Sequence, residues 1–310
     1  MATEPMLAAL DVSLLSRSRV GRSSALADYW ALTKPEVNFL IVITTFAGFY
    51  LGSGGGWQDF PLSRAINAVF GTLLVASGTG TLNQYIERVF DAQMRRTARR
   101  PLAAGRLNPS AVLWFGTALS SLGGIYLALT VNPLASALAI ATLLSYLFLY
   151  TPLKRKSPLC TFVGAFPGAM PPLIGWAAAS GRLNLEAWML YGVLFLWQFP
   201  HFMAIAWMYR EDYARAGYLV LPKDDEPRTR FVRLQTLLPL LFLVPLSLVP
   251  VLTGRPSAFY FTGASILSAA FLQYGAEFLR SKSNSAARRL LTASIIYLPL
   301  LFLLMIISRN

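Results

Sequence analysis

Long apolar runs separated by short charged connections recur along the whole 310-residue chain. A helix needs about 20 apolar residues to cross the hydrocarbon core of a bilayer, and nine stretches approach that length. The pattern therefore predicts an all-α, polytopic membrane protein with nine transmembrane helices. The predicted spans are residues 37–55, 65–86, 109–130, 133–150, 159–179, 185–208, 232–253, 257–279 and 289–307.

The charged connections between these runs indicate how the chain is oriented. All but four of the 27 lysines and arginines fall in the N-terminal segment or in the connections after the even-numbered spans. Cytoplasmic connections of membrane proteins are rich in Lys and Arg, so the pattern predicts a cytoplasmic N-terminus and an external C-terminus. The four basic residues on the external side are Arg64, Arg182, Arg255 and Arg309.

The composition supports a membrane protein, since 55% of the residues are hydrophobic and 13% are charged, whereas soluble domains carry about 25% charged residues. We expect a multi-pass protein of the bacterial inner membrane, with the mitochondrial inner membrane as the alternative. The net charge of +13 requires no nucleic-acid partner, because orientation and anionic lipid headgroups account for it. Residues 1–29 are predicted to form a flexible cytoplasmic tail, and residues 30–310 a single intramembrane domain with its active-site mouth on the cytoplasmic side.

Acidic residues collect at the cytoplasmic ends of two predicted spans. In the segment NQYIERVFD, the spacing of Asn83, Glu87 and Asp91 is i, i+4 and i+8, so on a helix the three side chains share one face over about 12 Å. Glu211 and Asp212 follow the sixth span in the segment YREDYARAGYLVLP. Acids at membrane depth are usually functional, although a solvated helix end paired with nearby arginines is the structural alternative.

These two groups suit the binding of a diphosphate together with Mg²⁺. Mg²⁺ takes oxygen ligands, usually one or two carboxylates with water and substrate phosphates. A chain with one Cys and one His, Cys160 and His201, has no multi-Cys or His-pair metal motif. Arginines bind phosphate oxygens with paired hydrogen bonds, and basic residues follow the first acidic group and recur in the segment YTPLKRKSP at 150–158.

Four segments in order along the chain resemble the intramembrane prenyltransferases of the UbiA superfamily. Within that superfamily the resemblance is to the members that farnesylate protohaem IX, and it extends from about Trp30 to near the end of the chain. Glu87 stands where the general motif has its middle Asp, and adjacent Glu211 and Asp212 replace a spaced Asp pair, so which of these two binds metal stays open. The segments are NQYIERVFDAQMRRTARRPLAAGRL (83–107), YTPLKRKSPLCTFVGAFPGAMPPLIGW (150–176), WQFPHFMAIAW (197–207) and YREDYARAGYLVLP (209–222).

The resemblance implies that a farnesyl group passes from farnesyl diphosphate to a vinyl group of haem B inside the lipid bilayer, with Mg²⁺ as cofactor. It suggests an oxidase-assembly factor or haem A synthase as a protein partner. The implied metal ligands are Asn83, Glu87, Asp91, Glu211 and Asp212. The other implied catalytic residues are Arg99, Arg100, Lys154 and Arg155, together with Asp212. The implied haem or prenyl contacts are His201, Trp197 and Tyr150.

Two other functions are compatible with many membrane spans. A transporter would carry charges near the middle of the membrane, whereas the charges of this chain collect at the cytoplasmic helix ends. A prenyltransferase acting on a quinone precursor or another aromatic acceptor is the nearer alternative, and Glu87 and the segment YTPLKRKSP count against it. For His201, a histidine satisfied within the core is the structural alternative to a haem contact.

Overall fold

The computed structural model describes residues 24–54, 57–253 and 258–308, and this part of the chain is helical, without strands. Most of the predicted tail lies outside the described residues. The helices are α1 (Ala25–Leu32), α2 (Pro35–Gly52), α3 (Leu62–Asp91), α4 (Pro109–Thr130), α5 (Pro133–Leu144), α6 (Thr151–Leu153), α7 (Cys160–Gly168), α8 (Met170–Ser180), α9 (Leu185–Met208), α10 (Arg210–Arg215), α11 (Asp225–Thr253), α12 (Ala258–Ser281) and α13 (Asn284–Ile307).

The predicted membrane architecture is confirmed in its fold class and nearly in its number of spans. Eight helical segments of the described chain are long and apolar enough to cross a membrane. The stretch predicted as a further span at 257–279 forms the 24-residue helix α12 but is not among the eight, and Gln273, Glu277 and Arg280 make its C-terminal half more polar than its N-terminal half. The boundary predicted at residue 29 falls inside α1, so residues 25–29 are helical.

Two of the spans are each built from consecutive short helices. α5 continues through a π-helical turn, Ser145–Tyr150, into α6, and such turns commonly occur at functional sites. α7 and α8 meet at Ala169 in a stretch where Pro171 and Pro172 supply no backbone N–H groups. At this joint the carbonyl of Ala165 accepts from the backbone N–H of Ala169 at 3.1 Å and from the side-chain N–H of Gln198 on α9 at 3.0 Å.

The first span, α2, and the span formed by α7 and α8 cross with their backbones in contact. A Cβ atom on Gly48 of α2 would lie 2.2 Å from the carbonyl oxygen of Pro172, and one on Gly175 of α8 would lie 2.0 Å from that of Thr45. Only glycine permits this approach, which is typical of packing between membrane helices. α3 packs against α2 and α4, so its C-terminal end lies beside the first span.

Three basic connections that are predicted to be cytoplasmic meet at one end of the protein, and we call them the cytoplasmic cap after that prediction: residues 92–108, 154–159 and 209–222. The backbone N–H of Leu219 donates to the carbonyl of Lys154 at 2.7 Å, and the N–H of Arg96 donates to Asp212 Oδ2 at 3.1 Å. An apolar cluster of Met94, Ala216 and Tyr218 fills the space between the first and third connections. These contacts fix the cap over the end of α3.

Candidate active site

The polar row predicted on one helix face lies at the C-terminal end of α3. Asn83 and Asp91 are each 1% exposed and Glu87 is 6% exposed. The structural alternative raised from the sequence is a solvated helix end paired with arginines; the burial of these side chains contradicts the solvation, although Asp91 is paired with Arg100. Burying polar groups is costly unless each has a partner, and the partners come from several distant segments.

Asn83 links α3 to the first span and to the start of α6. Its Oδ1 accepts a hydrogen bond from Lys34 Nζ at 2.9 Å. Its Nδ2 donates to Glu87 Oε2 at 3.0 Å and to Thr151 Oγ1 at 3.3 Å. Lys34 has a left-handed backbone conformation, with φ of 54°, immediately before Pro35 begins α2. The turn between α1 and α2 thus directs an ammonium group to the polar row.

Glu87 is the most highly connected side chain of the row. Lys154 Nζ donates to its Oε1 at 2.8 Å and to its Oε2 at 3.1 Å. Tyr218 donates its hydroxyl to Oε1 at 3.0 Å, and Asn83 donates to Oε2. A carboxylate has about four lone-pair positions, so the carboxylate of Glu87 is fully occupied by donors.

Asp91 has a different environment at the last residue of α3. Its Oδ2 pairs with Arg100 Nη1 at 2.7 Å, whereas its Oδ1 is buried and has no hydrogen-bond partner among the described residues. The pairing follows from the local fold, because Thr97 Oγ1 donates to the carbonyl of Asp91 at 2.9 Å. That carbonyl is one of those that a helix end leaves without an intrahelical partner, and satisfying it turns the chain so that Arg100 returns to Asp91.

The second acidic group divides into one inward and one outward residue. Asp212 is 8% exposed and accepts from the backbone N–H of Arg96 and from Arg215 Nη1 at 3.0 Å. The side chain of Glu211 is 79% exposed and lies 3.9 Å from Arg210. Of these two acidic residues, only Asp212 is directed into the cytoplasmic cap.

Burial and neighbouring charges shift the pKa values of three groups around Glu87 that lie outside the spans. Burial lowers the pKa of Lys34 to about 7, and the charges of Arg100 and Lys154 act in the same direction. Burial also lowers the pKa of Lys154, but the Glu87 carboxylate, Tyr150 and Tyr146 together outweigh burial and leave this pKa well above its usual value. Burial and the Glu87 carboxylate raise the pKa of Tyr218, so its hydroxyl keeps the proton that it donates.

A cavity of about 390 Å³ opens beside Glu87 at the edge of the cytoplasmic cap. Two cationic side chains line it, Arg155 and Lys156, and no carboxylate among the described residues pairs with either. The guanidinium of Arg155 lies 4.1 Å from the centre of the Phe90 ring. The cavity is therefore positively charged on one side and has a carboxylate on the other. Its lining residues are Ile86, Glu87, Phe90, Thr151, Pro152, Arg155, Lys156 and Tyr218.

The donor atoms of the row suit Mg²⁺ that arrives with a phosphate ligand. Mg²⁺ binds oxygen and usually keeps water or substrate phosphates among its ligands, and Asp91 Oδ1 is a buried carboxylate oxygen without a partner. Asn83 Oδ1 and the Glu87 carboxylate already attract ammonium groups. In the part of the chain that the structure describes, no group of three His, Cys, Asp or Glu side chains could hold a metal ion.

The remaining predicted donor-site residues lie at different distances from the row. Arg99 is exposed, and its carbonyl accepts from Arg106. The ring of Tyr150 lies on the π-helical turn, with its centre 4.6 Å from Lys154 Nζ and 5.0 Å from the ring of Tyr146. Tyr150 is thus close to the polar row, whereas Arg99 is on the outer surface of the cap.

His201 and Trp197 belong to a separate polar cluster between α9 and α13. His201 Nδ1 and Ser294 Oγ are 2.8 Å apart, and Trp197 Nε1 donates to the carbonyl of Ser294 at 2.8 Å. The two rings stack with their centres 4.6 Å apart. Among the described residues, neither side chain is hydrogen-bonded to the row on α3.

Three residues that hydrogen-bond to the side chains of the row were not singled out from the sequence: Lys34, Thr151 and Tyr218. Lys34 was counted only as a basic residue that orients the chain, and its position before Pro35 at the start of the first span could have indicated a fixed turn. Thr151 lies in the segment YTPLKRKSP and Tyr218 in the segment YREDYARAGYLVLP. The only indication in the sequence was that Thr151 and Tyr218 lie within these segments. Their contacts with Asn83 and Glu87 could not be deduced without the packing of the cap.

Comparison with known proteins shows which protein family this chain is similar to. A model described as the UbiA prenyltransferase family matches residues 41–305. The protein named protohaem IX farnesyltransferase in Solibacter usitatus is 47% identical over 288 residues, which cover 91% of this chain and 98% of that protein.

Solved structures show the same fold at low sequence identity. A digeranylgeranylglyceryl phosphate synthase structure superposes with a TM-score of 0.73 at 18% identity, covering 93% of this chain and 99% of that one. A UbiA homologue from Archaeoglobus fulgidus, solved bound to GPP and Mg²⁺, superposes with a TM-score of 0.60 at 14% identity, covering 90% of this chain and 99% of that one.

Proposed function

Because the chain belongs to the UbiA prenyltransferase family, we propose that it transfers the farnesyl group of farnesyl diphosphate to a vinyl group of haem B. The products are diphosphate and haem O, a haem for terminal oxidases. The observation that carries the proposal is the buried row of Asn83, Glu87 and Asp91, surrounded by cationic side chains at the cytoplasmic end of α3. The name of the Solibacter relative supports the choice of donor and acceptor.

Donor binding uses the cationic groups that surround the row. Lys34, Lys154 and Arg100 would bind the diphosphate oxygens from three sides, and Arg155 would extend this charge into the adjoining cavity. Mg²⁺, when bound, would neutralise negative charge on the departing diphosphate, with Asp91 Oδ1 as its best-placed protein ligand. Fixed positive groups stabilise the charge that develops as the allylic C–O bond breaks.

The farnesyl group must then reach haem B before water reaches it. The electron pair of the breaking bond leaves with the diphosphate, and a vinyl carbon of haem B bonds to the farnesyl carbon. A water molecule then bonds through its oxygen to the other vinyl carbon, which carries the positive charge, and releases a proton to solvent, so that this carbon bears a hydroxyl group in the product. The rings of Tyr146 and Tyr150 lie next to Lys154, where their faces can stabilise an allylic cation. His201 and Trp197 are the proposed contacts for the porphyrin.

Product analysis on the purified protein in lipid nanodiscs tests the proposal. Haem B, farnesyl diphosphate and Mg²⁺ are supplied together, and we expect mass spectrometry to find a farnesylated haem that disappears when a chelator removes the metal. Farnesylation of an aromatic acid or quinone precursor, with haem B left unchanged, would support the alternative prenyltransferase. Haem farnesylation that persists after thorough metal removal would contradict the proposed part of Mg²⁺.

The proposed location is a bacterial plasma membrane with the N-terminus in the cytoplasm. The connections that follow the even-numbered predicted spans carry most of the positive charge. In this orientation they lie in the cytoplasm, on the same side of the membrane as the row on α3. Both substrates have large apolar parts and are membrane-soluble, so an active site at the bilayer edge is accessible to each. An oxidase-assembly factor or haem A synthase is the proposed protein partner, since a haem product must be passed on without release into water.

A further inference from the structure

Tyr218 lies at a point where the third connection of the cytoplasmic cap turns towards α3. Gly217 precedes it with φ of +71°, a left-handed conformation that glycine adopts without strain. The backbone N–H of Tyr218 donates to the carbonyl of Tyr213 at 2.9 Å. This tight turn after α10 directs the Tyr218 side chain inward, where it is 5% exposed.

The ring of Tyr218 is held on several sides before its hydroxyl makes any contact. Its centre is 6.0 Å from that of Phe90 on α3 and 6.1 Å from that of Tyr213. Met94 and Ala216 complete the same buried cluster. A ring fixed in this way has little freedom left to lose, so its hydroxyl is preorganised as a hydrogen-bond donor.

The hydroxyl of Tyr218 is directed at Glu87, the most highly connected side chain of the row. It donates to Glu87 Oε1 at 3.0 Å, across a separation of 131 residues in the chain. Lys154 reaches the same carboxylate from the second connection of the cap, so Glu87 joins α3 to two cap segments. A glutamate side chain has more rotatable bonds than an aspartate and loses more entropy when it is fixed, and the tyrosine restricts it to one orientation.

We propose that Tyr218 is a positioning residue of the donor site, whose hydroxyl aligns the Glu87 carboxylate and fastens the third cap connection over the end of α3. The inference rests on the proposed function. With the hydroxyl in place, Glu87 holds Lys154 and Asn83 in a fixed arrangement around the position of the diphosphate. Without it, one oxygen of a buried carboxylate loses a donor, and Glu87 and Lys154 can reorient together.

The substitution Tyr218→Phe removes this hydroxyl and retains the buried ring. Tyr213→Phe is the matched control, since its hydroxyl lies in the same cluster but contacts Arg96 and not Glu87. Full-length protein in nanodiscs is titrated with Mn²⁺ and inorganic diphosphate, and binding is followed by electron paramagnetic resonance. We expect Tyr218→Phe to weaken Mn²⁺–diphosphate binding about tenfold, the effect of one hydrogen bond to a charged group, in protein that circular dichroism shows to be folded at the temperature of the titration.

Steady-state kinetics supplies the second readout. The KM for farnesyl diphosphate should rise about tenfold in Tyr218→Phe, while the KM for haem B and both constants of Tyr213→Phe stay at wild-type values. Unchanged donor binding in Tyr218→Phe, equal losses in the two variants, or an equal loss for haem B would overturn this inference and leave the proposed function intact. Failure of the wild-type protein to bind Mn²⁺–diphosphate would overturn both.

Discussion

Glu87 and Asp91 lie one helical turn apart but differ in how completely their carboxylate oxygens are hydrogen-bonded. Glu87 accepts from Lys154, Tyr218 and Asn83, whereas one oxygen of Asp91 is buried without a donor. A buried acceptor without a partner destabilises the folded protein. Such an atom is explained if a ligand supplies the missing contact, which makes Asp91 the residue of the row most directly available to a cation.

Asp91→Asn is the residue-scale test of this difference. The change removes one negative charge and keeps the side-chain size, so we expect kcat/KM for farnesyl diphosphate to fall at least about 100-fold, in the range known for removal of one transition-state contact. The melting temperature should also fall, because the ion pair between Asp91 and Arg100 is lost, so the rates are compared at a temperature at which both proteins are folded. Initial rates at varied donor concentration and thermal unfolding in detergent measure the two effects.

Asp59→Asn is the control, because Asp59 is exposed on the opposite side of the protein, in the connection between α2 and α3. It should leave both the rate and the melting temperature unchanged. Wild-type donor kinetics in Asp91→Asn would show that the unpartnered oxygen takes no part in donor binding or turnover.

At the scale of the elements, the crossing of α2 and α8 depends on the absence of two side chains. Gly175→Ala would bring a methyl group within 2.0 Å of a backbone oxygen of α2, and a backbone cannot move aside as a flexible side chain can. Overpacking a membrane-helix contact costs about 1–3 kcal/mol or more, so we expect a lower melting temperature and a lower yield of folded protein.

Gly192→Ala provides the comparison on α9, since its Cβ would meet only the side chain of Leu246 at 3.0 Å. A leucine rotamer can adjust at small cost, and this variant should melt near the wild-type temperature. Equal melting temperatures for the two alanine variants would mean that the α2–α8 contact is looser than the structure describes.

The contact between α9 and α13 allows a test of the proposed contacts with haem B, the acceptor substrate. His201 bonds Ser294 and stacks on Trp197, so His201→Ala should alter both this joint and any porphyrin contact. We expect a higher KM for haem B and a changed haem absorption spectrum, with an unchanged KM for farnesyl diphosphate. Ser294→Ala removes the same hydrogen bond but keeps the imidazole, and should retain haem binding. Equal losses for both substrates in His201→Ala would mean that the residue only stabilises the helix pair.

At the scale of the whole molecule, the charge asymmetry predicts which side of the membrane holds the cytoplasmic cap. Cys160 is buried, and replacing it with Ala gives a background for single introduced cysteines. A membrane-impermeant maleimide should label Lys223→Cys in inside-out vesicles and Asp59→Cys in spheroplasts, since both positions are exposed and lie on opposite sides. Labelling of Lys223→Cys from the outside would reverse the proposed orientation.

Features that depend on neighbours along the chain were determined by the sequence itself. Span α9 has the predicted bounds, 185–208, because the length of an apolar run is read directly from the residues. The row of Asn83, Glu87 and Asp91 lies on one face of α3 because the helical period alone places residues four apart together.

Tertiary structure alone decided which partners each polar side chain received. Lys34 reaches Asn83 across 49 residues and Tyr218 reaches Glu87 across 131, and no local period contains such contacts. The inward orientation of Asp212 and the outward orientation of Glu211 likewise depend on how α10 packs into the cytoplasmic cap. The sequence alone does not show which of two adjacent acidic residues on a short helix faces the interior. Periodicity determines which face of a helix is polar, whereas the packing of helices from distant parts of the chain determines what that face meets.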